Sequence, residues 1–460
     1  MADKKEKLFY QQKNAYDLIS EEERKACYDY CEGYKEFLDN CKTERIGVKY
    51  TVALAENAGF KPYVPGMDFK VGDRLYYNSR GKAVILAVIG TRPLGDGINI
   101  SAAHIDSPRL DLKPVPLYED SELAFFKTHY YGGIKKYQWV AIPLELYGTV
   151  VLKDGSTVDV SIGAGPDDPQ FVITDLLPHL SADQMKKTLT EAFTGEGLNI
   201  LIASRPDKET EGSDRVKMTV MTILNEKYGI IEEDFLSAEF EAVPAYNARD
   251  LGLDRSMIGA YGHDDRSCAY AGLTALMETE SPEKTAVCIL ADKEEIGSEG
   301  VTGMKSQGFE WFIGALCEKK GVRLEDCFAN SFCLSADVCN AFDPNYPEVS
   351  EKRNNAKINY GTALMKFTGS RGKSGSSDAS AETIGKLRTL FEKEGVIWQM
   401  AELGKVDQGG GGTVAMFMAQ RNIETVDSGV PVLSMHAPYE IVSKIDCYMT
   451  YKAIKALYNS

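Results

Sequence analysis

TAVCILADKEEIGSEG, residues 285–300, runs from a continuous apolar stretch straight into two adjacent glutamates. An apolar run of this length, flanked by Pro282 and Gly297, reads as a strand covered on both faces, with its end opening onto the surface or a crevice. Function in such sheets gathers at the carboxyl ends of the strands. Glu294 and Glu295 repel one another there and have no helix to cap. Either the loop is simply solvated and acidic, or a cation offsets the repulsion.

Outward from this stretch the chain alternates. "SCAYAGLTALMETE" (267–280) predicts a helix, "DCFANSFCLSAD" (326–337) a strand, and "PVLSMHAP" (431–438) a last strand end. Upstream, "RLYYN", a Ser79-Arg80-Gly81 turn, "AVILAVIG" and "GINISAAHID" predict strands from about Asp73. The first 60 or so residues read as mostly helical: Ser20 to Glu23 has capping-box spacing, and Cys27, Cys31, Tyr34 and Leu38 recur at helical intervals. Between 112 and 243 the texture turns β-rich, with a hairpin pattern around Asp154-Gly155. The expected fold class is α/β: a domain with a mixed sheet flanked by helices (residues 1–111 and 244–460), interrupted by an inserted β-rich domain (112–243).

Bulk properties narrow the function. The 460 residues carry 52 Lys and Arg against 68 Asp and Glu, a net charge of −16, which disfavours nucleic acid or an anionic membrane as the main partner. The start, "MADKKEKLFYQQKNAY", has no apolar core, and the longest apolar runs fall far short of the roughly 20 residues a bilayer span needs. A cytoplasmic protein is expected. The ten cysteines form no Cys-x-x-Cys pair and read as small buried residues.

Two of the five histidines, His104 and His436, close apolar stretches near carboxylates, and "GHDDR", "LADKEEIG" and "CLSADV" share that placement. If these strand ends converge on one edge of a sheet, His104, Asp264, Glu295, Asp337 and His436 meet. Two metal ions about 3.5–4 Å apart need such a set, a bridging carboxylate with terminal imidazole and carboxylate ligands. The glutamate pair then has a purpose: one carboxylate binds metal and its neighbour takes a proton from water.

"HIDSPRLDLKP", "GHDDRSC", "DKEEIGSEG", "SADVCNAFDPNY" and "DSGVPVLSMH" occur in the order and spacing of one peptidase family. Over essentially the whole chain the sequence resembles the aspartyl aminopeptidase and vacuolar aminopeptidase I family of two-zinc metallopeptidases. The resemblance implies an aminopeptidase with two Zn2+ per subunit, replaceable by Co2+ or Mn2+, that attacks peptides with a metal-bridging hydroxide. It implies that His104 binds one zinc, Asp106 orients that histidine, Asp264 bridges both ions and Glu294 is the general base. Glu295 and Asp337 become terminal ligands on separate ions, and His436 completes the second site. It also implies that the insertion is a dimerisation domain and that dimers build a tetrahedral homododecamer. "YYGGIKK" (130–136) resembles the family's Tyr-Gly-Gly-Gly segment, and "LLPHLSADQ" (176–184) a stretch whose histidine, here His179, serves the neighbouring subunit's active site.

The chain departs from the family at Asp183, where a second histidine is expected, at Asp343-Pro344-Asn345-Tyr346 in place of His-Pro-Asn-Tyr, and at Tyr439 in place of an arginine. "GSRGKSGSS" (369–377) imitates a P-loop, but Phe367 stands where the first glycine is required, so nucleotide binding is rejected. "DQGGGGT" (407–413) offers backbone N–H groups to a substrate carbonyl or anion, or is a plain connection. Arg371 and Lys373 are the local candidates for recognising an acidic N-terminal residue beside neutral ones. The competing readings are a two-metal deacylase or carboxypeptidase and a non-catalytic scaffold; the retained ligand set with Glu294 weighs against the scaffold.

Overall fold

In the computed structural model of the chain, which describes residues 8–375 and 377–460, the apolar run forms the strand Thr285–Ala291, buried at all seven residues. Residues 1–7, part of the charged start, and Ser376 lie outside the described residues. The strand sits inside a nine-stranded sheet whose order is Lys61–Pro62, Arg74–Ser79, Ala83–Val88, Thr285–Ala291, Ile98–His104, Phe332–Ser335, Glu424–Gly429, Thr362–Met365 and Trp398–Met400. The central four strands, Thr285–Ala291 through Glu424–Gly429, are parallel, with Ala291 opposite His104, and Ser335 opposite both Ala102 and Asp427. Chain leaving these strands therefore emerges along a single edge.

Alternation within the strands splits the core in two. Val84, Leu86, Val88, Cys288 and Leu290 pack into one apolar cluster with Tyr34, Leu38, Leu273 and Ile454. Ile85, Ala87, Val287 and Ile289 pack into the other with Phe309, Phe312, Leu316 and Met418. Each fully buried Leu or Ile contributes about 1.5–3 kcal/mol. Strands buried on both faces are thus the reason the sequence reads as unbroken apolar runs. Helix Glu21–Asn40 starts where the capping pattern predicts, the Ser20 hydroxyl accepting the Glu23 N–H at 3.2 Å. All ten cysteines are buried.

Two expectations are corrected. Residues 326–337 are not one strand: Leu324–Ala329 is a helix, burying Cys327 and Phe328, and the strand is only Phe332–Ser335. Nor does Pro431–Leu433 end the sheet or the strand list. It belongs to a separate five-stranded sheet ordered Arg249–Leu251, Met257–Ala260, Glu440–Ser443, Pro431–Leu433 and Cys339–Asn340, and Glu440–Ser443 is the last strand in the chain. Short apolar runs of four or so residues do not reveal which sheet they join.

These elements form one of two compact units, made of the chain up to Asp106, Ala248–Met435 and Glu440–Ser460; the other comprises Ser107–Asn247 and His436–Tyr439. The second unit carries an antiparallel six-stranded sheet ordered Thr157–Ile162, Leu144–Val151, Ala238–Pro244, Arg109–Asp120, Leu123–Tyr131 and Ile200–Ala203. Its hairpin turns at Gly155, whose φ of 86° suits glycine. Phe126, Phe235 and Phe240 pack ring to ring in its interior. Among the described residues no helix is long and apolar enough to cross a membrane.

Candidate metal centre

Five of the residues singled out in the sequence leave the nine-stranded sheet at its carboxyl edge. His104 ends its strand and Asp106 follows two residues later. Glu294 and Glu295 form a single 3-10 turn between Lys293 and Gly297, at φ of 67° and 89°. Asp337 lies two residues beyond its strand. Asp264 arrives differently: it is the second residue of helix His263–Met277 and follows Met257–Ala260 of the five-stranded sheet. The single-edge expectation is therefore right for the strand ends of the larger sheet and wrong for Asp264.

Asp106 ties two strand ends together. Its Oδ1 accepts the Glu294 N–H at 3.1 Å and its Oδ2 the Glu295 N–H at 3.2 Å. The same residue meets His104, whose Nδ1 lies 3.0 Å from the Asp106 carbonyl and 3.4 Å from its Oδ1. A carbonyl only accepts, so Nδ1 carries the proton and Nε2 is left as a donor atom for a ligand. That Nε2 lies 3.1 Å from Asp264 Oδ1 and 3.8 Å from Glu294 Oε2.

Two sets of potential ligand atoms result, His104 with Asp264 and Glu295, and His104 with Asp265 and Asp337, each set within 4.8 Å. Asp106, Asp264, Asp265 and Asp337 are buried. Burial pushes the Asp265 and Asp337 carboxyls well above their usual range, and neighbouring carboxylates, Asp264 beside Asp265 and Glu294 beside Asp337, push further. Burial alone would lower the His104 pKa, yet hydrogen bonds to Asp106 and Asp264 and the Glu294 charge hold it well above its ordinary value. Crowded buried carboxylates around an imidazole nitrogen are a donor set that suits a divalent cation, zinc in particular. Protons and metal compete for the same atoms.

Two residues were missed in the sequence. Asp265 accepts the His104 backbone N–H at 3.2 Å, and buried Glu440 accepts the Asp264 N–H at 3.0 Å. The like-charge reasoning applied to Glu294-Glu295 applies equally to the adjacent Asp264-Asp265 and could have found the first; a lone Glu opening "EIVS" gives no such sign.

The remaining candidates are placed as follows. His436 belongs to the second unit, at φ of 64°, with its Nδ1 2.9 Å from the Gly133 carbonyl. His179 sits in the exposed 3-10 turn Pro178–Leu180 of that unit. In the first unit, Arg371 and Lys373 are exposed on a turn at φ of 49° and 63°, Lys373 Nζ lying 3.2 Å from Asp378 Oδ2 and 4.0 Å from the Phe367 ring centre. The glycine-rich loop approaches that turn: a methyl on Gly410 would come within 2.2 Å of the Gly369 carbonyl oxygen.

The chain matches known proteins over most of its length. The family model described as aminopeptidase I zinc metalloprotease (M18) matches residues 37–458. The chain is 49% identical over 461 residues to the protein named "Probable M18 family aminopeptidase 1" of Clostridium acetobutylicum, covering 98% of this chain and 99% of the relative. Among solved structures, an M18-family aminopeptidase from Thermotoga maritima superposes with a TM-score of 0.94 at 43% identity, over 98% of this chain and 100% of that one. The mApe1 dodecamer from S. cerevesiae shares the fold at 20% identity and a TM-score of 0.76, over 93% and 96% of the respective chains.

Proposed function

Because this chain belongs to the aminopeptidase I zinc metalloprotease (M18) family, and is thus a hydrolase acting on peptides, we propose that it removes single residues from peptide N-termini using two zinc ions. The observation that carries the proposal is the Asp106 bridge, which fixes the Glu294-Glu295 backbone beside His104 and Asp264. His104, Asp264, Glu295 and Asp337 are the zinc ligands of this reading, with His436 as the fifth. Bound zinc would polarise the scissile carbonyl and lower the pKa of a water molecule.

The chain's own residues supply the rest. Glu294 is held by its backbone while its side chain stays partly exposed, so it can take a proton from the attacking water and return it to the departing amine. Asp106 orients the His104 ring and Asp265 holds the His104 main chain. The Gly133 carbonyl plays the same orienting part for His436.

The inserted unit acts, on this reading, in dimerisation, with dimers assembling into a tetrahedral dodecamer and His179 serving a neighbouring subunit. A dodecamer is what the S. cerevesiae mApe1 structure describes. The exposed Leu176, Leu177, Leu180, Met185 and Leu189 around His179 support a role for this stretch in contact with another copy. Neutral and acidic N-terminal residues are both expected substrates, Arg371 or Lys373 meeting the acidic ones.

The test is an assay of Leu-, Ala-, Asp- and Glu-p-nitroanilides against their N-acetyl counterparts. Hydrolysis confined to the free-amine substrates is expected; turnover of the N-acetyl compounds alone would make the protein a deacylase or endopeptidase instead.

A further inference from the structure

Among the proposed ligands of the first unit, Asp264 is the one that no strand of the nine-stranded sheet delivers, so something else must hold it. It follows Gly262, at φ of 77°, and His263, which is wholly buried and hydrogen-bonded at both ring nitrogens. The Tyr34 hydroxyl lies 2.7 Å from His263 Nδ1, and the Ile258 carbonyl 3.1 Å from Nε2. A carbonyl only accepts, so Nε2 carries the proton, Nδ1 accepts, and Tyr34 donates. The main chain is pinned on either side: the Ser267 hydroxyl donates to the His263 carbonyl at 2.8 Å, and the Asp264 N–H donates to Glu440 at 3.0 Å.

Tyr34 comes from helix Glu21–Asn40, far away in sequence. The approach depends on its neighbour Gly33, where a methyl would lie 2.4 Å from the Tyr270 hydroxyl of helix His263–Met277. Without the Tyr34 hydroxyl the His263 Nδ1 would be a buried acceptor lacking its donor, which destabilises this one arrangement of the turn relative to others.

We propose that Tyr34 is a positioning residue for the metal centre: through His263 its hydroxyl holds Asp264 in the orientation that binds zinc, so that helix Glu21–Asn40 sets metal affinity. The inference rests on the zinc-peptidase reading above.

The experiment measures the zinc dissociation constant of the whole protein by competition with a chromophoric chelator, in wild type, Tyr34→Phe and Leu38→Ala. Leu38, 2% exposed on the same helix, is the packing control. Tyr34→Phe should weaken zinc binding at least fivefold, and its kcat should recover when zinc is saturating. Leu38→Ala should lower Tm and leave zinc affinity within twofold. A loss below fivefold in Tyr34→Phe, or an equal loss in Leu38→Ala, overturns the inference. Should Tyr34→Phe not fold, His263→Gln, which keeps a donor toward Ile258, is held to the same fivefold criterion. Wild-type protein that binds no zinc would instead remove the reading of the site itself.

Discussion

The carboxyl edge of the nine-stranded sheet and the surface turns at 369–375 and 405–413 both carry charged residues and glycines, yet they are built on opposite principles. At the edge, the register of parallel strands fixes where His104, Glu294 and Asp337 leave the sheet, and Asp106 locks two of those exits together. In the turns, Arg371 and Lys373 are exposed, and Lys373 meets the nearby Asp378. Position at the edge is set by the core; position in the turns is set by a few backbone dihedrals. Chemistry that tolerates no misplacement belongs on the first, and discrimination between substrates can sit on the second.

The largest expected effect sharpens the first half of that contrast. Glu294→Gln preserves size and should keep zinc bound, while kcat falls by roughly two to four orders of magnitude, as loss of a general base requires. Near-wild-type turnover would assign the base elsewhere. Next, Asp106→Ala removes the bridge without touching a ligand. Zinc affinity should drop about 10–100-fold, the usual cost of losing a residue that orients a ligand, and chelator competition would register it.

A smaller effect probes how tightly the core constrains the edge. Gly429 lies where a methyl would fall 1.9 Å from the Asp337 carbonyl oxygen and 3.0 Å from Cys268 Sγ. Gly429→Ala should destabilise the fold by about 1–3 kcal/mol, as overpacking does, and displace Asp337, so Tm and zinc content should fall together. Unchanged Tm would mean that the edge yields more easily than the strand register implies.

The smallest effects belong to the turns. Arg371→Ala and Lys373→Ala should change stability by no more than about 0.5 kcal/mol and leave kcat/KM for a Leu-peptide within about twofold. If either residue reads an acidic N-terminus, the Asp-to-Leu ratio of kcat/KM should shift by about tenfold, or 1.4 kcal/mol. A smaller shift in both variants would make them surface charges.

Legibility in the sequence follows the same division. The doubly buried strands announced themselves as apolar runs, and His104, Glu294, Glu295 and Asp337 could be placed together because parallel strands share one exit edge. Asp264 was legible as a residue type but not in placement, because a helix start fed from a second sheet carries no edge rule. Asp265 stands beside Asp264 as Glu295 stands beside Glu294, so the same like-charge argument reaches it. The helix at Leu324–Ala329 was misread as strand because its few residues show too little of a 3.6-residue period to stand out. The Tyr34–His263 hydrogen bond links positions 229 apart in sequence and left no local trace at all.

The account's central claim is that the buried carboxylates around His104 at the sheet edge hold catalytic zinc. Its most direct test is zinc content per chain measured by elemental analysis alongside Leu-p-nitroanilide hydrolysis, before and after dialysis against a chelator. About two zinc ions per chain, activity lost as they are removed and regained on adding zinc back, is the predicted result. Full hydrolysis by protein stripped of metal would contradict it.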